Sequence, residues 1–259
     1  MGRQPPVPGM SGPHGIPQFN RNKGMTSIQN GKDLVLGQLK EKALLKQEVA
    51  NTIESVFEDF KRVLASIEEE YSAEIEQMKP RLRFKYNDNG EFEAELTVAG
   101  DILYFTMHSN IFNFDPTHAI YQNDYVKEDE SRAYCGMIQI HNFLFDSMKY
   151  RRPLDVGYLI GRIFVNKDRH FFVEGKRQLG FLYNDFPNAT VNDVYIRAII
   201  ESAMIYAIDF DLQVPPYDQV KAVSVQQKLH QQNNQAFATG KRMGFKFAYE
   251  QSGIEAKKQ

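Results

Sequence analysis

The chain has 259 residues, of which 42% are hydrophobic and 12% aromatic, enough to bury a sizeable core in one large or two small domains. Lys and Arg number 31 against 33 Asp and Glu, a formal net charge of −2, which excludes a whole-chain basic footprint for nucleic acid. The single cysteine, Cys135, excludes an internal disulfide and fits a reducing cytoplasm, and no apolar run is long enough to span a bilayer or to form the core of a secretory signal.

The first 24 residues contain five Pro, five Gly and no acid. Such a segment cannot bury enough surface to offset its ordering entropy, so residues 1–32 are expected to be disordered. From Asp33 to Met78 the pattern turns helical. Val49, Ile53, Val56, Phe60, Val63, Ile67 and Tyr71 recur at steps of three and four, a near-heptad seam. A 46-residue helix would be about 70 Å long, more than one compact domain covers. Either it breaks near Gly37 or Ala43, or part of it packs on a second copy. The seam thus points to a homodimer. Eleven acids against five basic residues make its outer face acidic. Pro80 marks its end.

Residues 81–97 alternate clearly. Leu82, Phe84 and Tyr86 interleave with Arg81, Arg83 and Lys85, and Phe92, Ala94 and Leu96 with Glu91, Glu93 and Glu95. A three-residue loop at Asp88-Asn89-Gly90 would set Tyr86 opposite Phe92, Lys85 opposite Glu93 and Arg83 opposite Glu95, a charge ladder on the solvent face. A third strand is expected over Ile102–His108. A long loop with a short helical turn follows over 109–132, then a fourth strand over Tyr134–Phe145 with Cys135 in the core.

Two long strands are read between Asp155 and Tyr183, joined at Lys167-Asp168-Arg169. Parity favours a three-residue loop pairing Val165 with Phe171, Ile163 with Val173, Phe164 with Phe172 and Arg162 with Glu174. Gly161 and Gly175 then face each other, a thin spot open to a close neighbour. Glu174-Gly175-Lys176 also fits the E-x-K of metal-dependent nucleases of the PD-(D/E)xK type. In that reading Asp155 and Glu174 hold Mg²⁺, and Lys176, on the same strand face as Glu174, positions the attacking water. The plainer reading sets Glu174 against Arg162 across the hairpin and leaves Lys176 solvated.

Thr190 or Asn192 caps a last core helix, which runs to about Ile208 or Leu212. Asp193, Arg197 and Glu201 form its polar stripe. The rest is apolar, so the helix is expected to be buried on several sides. Residues 213–259 are Gln-rich and basic, with seven Lys and Arg against three acids. They include a candidate helix over 218–237 and the alternating run Phe245, Phe247, Tyr249. That run suits docking on a partner or a sheet edge, or base stacking on nucleic acid.

The four histidines of the expected folded region, His108, His118, His141 and His170, have no zinc-ligand spacing, and phosphate-binding glycine motifs and nucleophile elbows are absent from the sequence. The expectation is an α+β domain over 33–212: a long N-terminal helix, an antiparallel sheet of about six strands, and a C-terminal helix packed on the sheet. Its expected role is a non-enzymatic cytoplasmic binding module with protein partners and a second copy of itself. The binding residues singled out are Arg162, Phe245, Phe247 and Tyr249. A nuclease at Asp155, Glu174 and Lys176 and a small-molecule sensor, with its ligand between sheet and helix, are the alternatives.

Overall fold

A computed structural model describes residues 27–78, 82–212, 214, 216–226 and 228. The chain divides into two compact units, residues 1–43 and 44–259. The described part of the first holds α1 (Ser27–Gln38) and a π-type turn, Leu39–Ala43. Near Gly37 and Ala43, where a break is one of the two alternatives, the helical ladder changes from α to π class over Leu39–Ala43.

The second unit opens with α2 (Leu44–Met78). Six strands follow: β1 (Phe84–Asp88), β2 (Glu93–Val98), β3 (Asp101–Met107), β4 (Cys135–Leu144), β5 (Tyr158–Asn166) and β6 (Phe171–Gly175). They form one sheet in chain order, antiparallel throughout. Short helices α3 (Asp124–Glu128) and α4 (Phe145–Lys149) flank β4. The long helix α5 (Asp193–Ile208) follows the sheet, and α6 (Tyr217–Val220) lies beyond it. Asn192 caps α5 by accepting from Tyr195 N at 3.0 Å.

One face of the sheet packs on α2 and α5. Ile53, Phe57, Phe60, Leu64 and Ile67 of α2 meet Leu96, Phe105, Ile138, Ile163 and Val173 of the sheet and Ile196, Ile199 and Ala203 of α5. The near-heptad seam is therefore consumed within one chain: from Ile53 to Ile67 it is buried against the chain's own sheet and α5, with Val49 also buried before it and Tyr71 half-buried at its end. The polar stripe of α5 turns toward α2. Arg62 binds Asp193 at 2.6 Å, Glu70 binds Arg197 at 2.8 Å, and the Tyr71 hydroxyl donates to Glu201 at 2.8 Å. Apolar residues beside that stripe stay out of the core. Val194, Ile205 and Ile208 are exposed, so α5 is less enclosed than its composition predicts.

Two glycine positions matter for packing. A Cβ on Gly136 of β4 would stand 2.5 Å from Ile53 Cβ, so α2 touches the sheet backbone there. At Gly161 and Gly175, which pair as expected, the thin spot is filled by Leu179: a Cβ on Gly175 would meet Leu179 Cβ at 2.6 Å.

The β5–β6 register is the one the three-residue loop predicts, with Val165 opposite Phe171 and Arg162 opposite Glu174. The β1–β2 register is not. Phe84 pairs with Val98, Lys85 with Thr97 and Asn87 with Glu95, a slip of four residues from the expected ladder. An even slip preserves the faces, so alternation alone could not choose between the two. The turn itself decided. Gly90 takes φ 103°, its N–H donates to Asp88 Oδ1 at 2.9 Å, and the Phe92 carbonyl accepts from Met107 of β3. The three loop residues are thus Gly90-Glu91-Phe92.

Candidate functional site

The second face of the sheet is covered in part by the segment between β3 and β4. Ile120, Val126 and Ala133 of that segment pack with Cys135, Met137, Phe164, Phe172 and Phe186 into a smaller core, with Phe112, Phe114, Tyr121 and Tyr125 at its margin. This fold-over is organised by Asn166, at the end of β5 and fully buried. Its Oδ1 accepts from the Asp168 and His170 N–H groups at 3.0 Å each, and its Nδ2 donates to the Tyr125 hydroxyl at 3.1 Å. Burial pushes the Cys135 thiol well up, so it is packing and not a nucleophile.

Beside the smaller core the same face carries a transverse polar row. Register places Glu93, Thr106, Gln139, Arg162 and Glu174 side by side across five strands. All are half-buried. Arg162 donates to Glu174 in a close ion pair, with its guanidinium 5.4 Å from the Phe164 ring centre. His118 stands over the row with Nε2 3.8 Å from Glu174. Its Nδ1 accepts from the Ile120 N–H at 3.2 Å, so in the neutral ring the proton sits on Nε2 and points at the carboxylate. Phe114 stacks on His118 at 4.6 Å and meets Phe164 edge-on at 5.1 Å.

In the next row Glu95, Tyr104 and His141 lie abreast. Burial and the neighbouring Glu95 push the Tyr104 phenol up to about 12, so it stays a donor. Burial also lowers the His141 imidazole below its ordinary value, which favours the neutral ring. The surface thus offers fixed donors and acceptors around an aromatic floor. It can recognise a polar group, but it pairs no nucleophile with a base.

The sequence-predicted site residues separate. Arg162 and Glu174 come together as expected. Asp155 lies in the turn before β5, with its carboxylate 3% exposed and accepting from the Ser147 hydroxyl of α4 at 2.6 Å. That turn is beyond Leu144, the far end of β4, about 17 Å along the strands from the Gln139 row at the usual rise. Asp155 and Glu174 are therefore not brought to one point, and Mg²⁺ at either would have to displace the partner already there. Among the described residues no group of three His, Cys, Asp or Glu could hold a metal ion.

Lys176 lies at the very margin of the sheet: β6 ends at Gly175, and Lys176, still extended with its N–H donating to the Ile160 carbonyl at 2.9 Å, precedes a 3-10 turn, Arg177–Gly180, with its own side chain exposed. The cause is local. Gly175 and Gly180 permit a backbone approach that would put a Gly180 Cβ 2.3 Å from the Gly175 carbonyl, so the chain folds back and seats Leu179 on the sheet.

Phe245, Phe247, Tyr249, Pro80 and residues 1–26 lie outside the described residues; the rest of the segment expected to be disordered, 27–32, is helical, within α1. Half of the expected 218–237 helix also lies outside them, and in its described part the chain leaves the helix after Val220, with 221–224 irregular. Sequence reasoning missed His118, Phe114 and Gln139. Nothing in the composition of 109–132 says that it folds back over β5 and β6; the only signal was its unusual length.

No helix among the described residues is long and apolar enough to cross a membrane. Comparison with protein-family models, with curated proteins and with solved structures finds no match, so the fold and the outer-face row stand on their own geometry.

Proposed function

We propose that this chain is a non-enzymatic cytoplasmic interaction module that engages protein partners through its N-terminal helical unit. One observation carries the reading. Every described side chain from Asn30 to Ala43 other than Gly37 is exposed, including Leu34, Val35, Leu36 and Leu39 at 43–62%. An isolated helix this short is marginal in water, and most helical stability in proteins comes from packing an apolar side. A surface that receives these four side chains supplies that packing, in the manner of a helix laid into a groove. The exposed Val194, Ile205 and Ile208 of α5 offer a second apolar strip of the same character. The basic aromatic tail with Phe245, Phe247 and Tyr249 extends the same reading, with protein docking preferred over nucleic acid.

The test uses a photoreactive residue at Leu36 or Leu39 of the full chain in its own host. A discrete cross-linked protein product, lost when Val35→Asp is added, is the expected result. Failure of cross-linking at both positions removes the helix from the reading. Cleavage of DNA or RNA with Mg²⁺ or Mn²⁺ that disappears in both Glu174→Gln and Lys176→Ala would overturn the non-enzymatic assignment. Glu174→Gln is expected to cost no more than about 1 kcal/mol of stability, as for a half-exposed ion pair.

A further inference from the structure

The sheet has two edges, and they are treated differently. Beyond β6 the segment 183–191 closes the edge. Phe171 N–H donates to the Ala189 carbonyl at 3.2 Å, Val173 N–H donates to Tyr183 at 2.9 Å, and His170 bridges to Thr190. Beyond β1 there is no such cover among the described residues. The bonds from Ala99 N–H to the Arg83 carbonyl and from Asn89 N–H to Glu93 show which β1 groups face β2. Strand alternation then turns the N–H and C=O groups of Phe84, Tyr86 and Asp88 to the open edge. Among the described residues none of these backbone groups has a hydrogen-bond partner. An open edge of this kind is a template for another strand.

The four-residue slip in the hairpin also decides what kind of strand fits. In the expected ladder Arg83 and Lys85 would have met Glu95 and Glu93. In the observed register they do not. Arg83 lies over the Phe145 ring at 4.2 Å, Lys85 pairs across with Thr97, and neither forms an ion pair among the described residues. The two carboxylates sit at the other end of the hairpin. Asn87 donates to Glu95, and Asn89 donates to Glu93 at 3.0 Å and to Glu95 at 3.3 Å. The edge is thus basic at its start and backed by carboxylates at its end.

We propose that β1 pairs antiparallel with β1 of a second copy of this chain, about a two-fold axis through Tyr86, joining the two sheets edge to edge. Antiparallel self-pairing reverses the charge polarity. Lys85 falls opposite Asn87 of the second copy, one strand from its Glu95, and Arg83 falls opposite Asn89, one strand from its Glu93. All the outward groups are used, with Phe84 opposite Asp88 and Tyr86 opposite Tyr86, about six backbone hydrogen bonds in all. An axis through Lys85 would set that cation against itself and leave Asp88 unpaired. Phe84 and Tyr86, half-buried in one chain, extend the apolar layer across the axis. The contact is small, so the dimer belongs to the weak, transient class. This inference does not rest on the N-terminal helical unit.

Residues 85 and 87 across the axis form a non-hydrogen-bonded pair, with Cβ atoms about 4.5–5.5 Å apart, near disulfide reach. The experiment mixes full-length Lys85→Cys with full-length Asn87→Cys under mild oxidation. Buried Cys135 does not compete. The mixture is expected to give about tenfold more cross-linked dimer than either variant alone, with mass spectrometry locating the bond between 85 and 87. Lys85→Glu should weaken the dimer about tenfold in sedimentation, and Lys85→Glu combined with Glu95→Lys should restore it. A mixture that cross-links no better than the single variants overturns the proposal, as does a chain monomeric at millimolar concentration. A dimer that survives Lys85→Glu but is lost in Leu36→Asp with Leu39→Asp also overturns it, and leaves the reading of α1 standing.

Discussion

Gly136→Ala tests how α2 is seated on the sheet. A Cβ at residue 136 would stand 2.5, 2.7 and 2.8 Å from Cβ, Cγ1 and Cγ2 of Ile53, whereas carbon atoms in contact sit about 3.5–4.0 Å apart. The overlap is about 1 Å with three atoms at once. Ile53 is 2% exposed and β-branched in a helix, so it has essentially one rotamer and cannot swing away. Nor can α2 lift freely, because Asp59 binds Arg169 at 2.6 Å and Arg62 binds Asp193 at 2.6 Å, both within the next three turns of the helix. Overpacking of this kind costs about 1–3 kcal/mol, offset by the roughly 0.5–1 kcal/mol that Ala gains over Gly by restricting the unfolded chain. The net loss, about 1–2 kcal/mol, should lower Tm by about 2–8 °C for a domain of this size. Ile53→Ala alone should cost about 2–5 kcal/mol, and the double variant should be no worse than Ile53→Ala, because the new methyl fills the space vacated. Thermal and urea unfolding of the four chains measure the cycle. A neutral Gly136→Ala, or strict additivity with Ile53→Ala, would refute the reasoning.

Asn142 lies on the helix-covered face between Leu103 and Tyr158, 1% exposed, and neither its Oδ1 nor its Nδ2 has a hydrogen-bond partner among the described residues. Asn142→Leu should therefore raise stability by about 1–3 kcal/mol in urea titration, and a destabilised variant would reveal a partner for the amide. The Ser131 hydroxyl and N–H and the Lys167 ammonium hold the Asp129 carboxyl down to about 2. Because the folded value is depressed, its stabilisation is complete above the unfolded Asp range and is lost as pH falls from about 4 toward 2. Asp129→Asn should flatten that acid limb in unfolding midpoints measured from pH 2 to 5; an unchanged slope would show that other carboxylates carry it.

Periodicity determined the elements and their order. The seam from Val49 to Ile67 specified a helix with one buried side, alternation and β-favouring composition specified about six strands, and a capping residue at Thr190 or Asn192 bounded the start of α5, because each of these is a local property of a few adjacent residues. Parity also set which side chains share a face. Where a turn had one clear solution, at Lys167-Asp168-Arg169, it set the register of the central hairpin and brought Arg162 to Glu174. What parity cannot resolve is a slip by an even number of residues. At Gly90 the choice fell to a loop whose Phe92 carbonyl is claimed by β3, a contact invisible in the hairpin's own sequence.

The outer-face site was still less legible. His118 and Phe114 reach Glu174 and Phe164 only because residues 109–132 fold back over the sheet, and contacts so far apart in sequence leave no periodic trace. The same holds for Gly136, whose missing side chain has meaning only once Ile53 arrives. Local backbone preference is written in neighbouring residues. Which distant surfaces meet is decided by the packing of the whole chain, and that packing parted Asp155 from Glu174 and closed the sheet beyond β6.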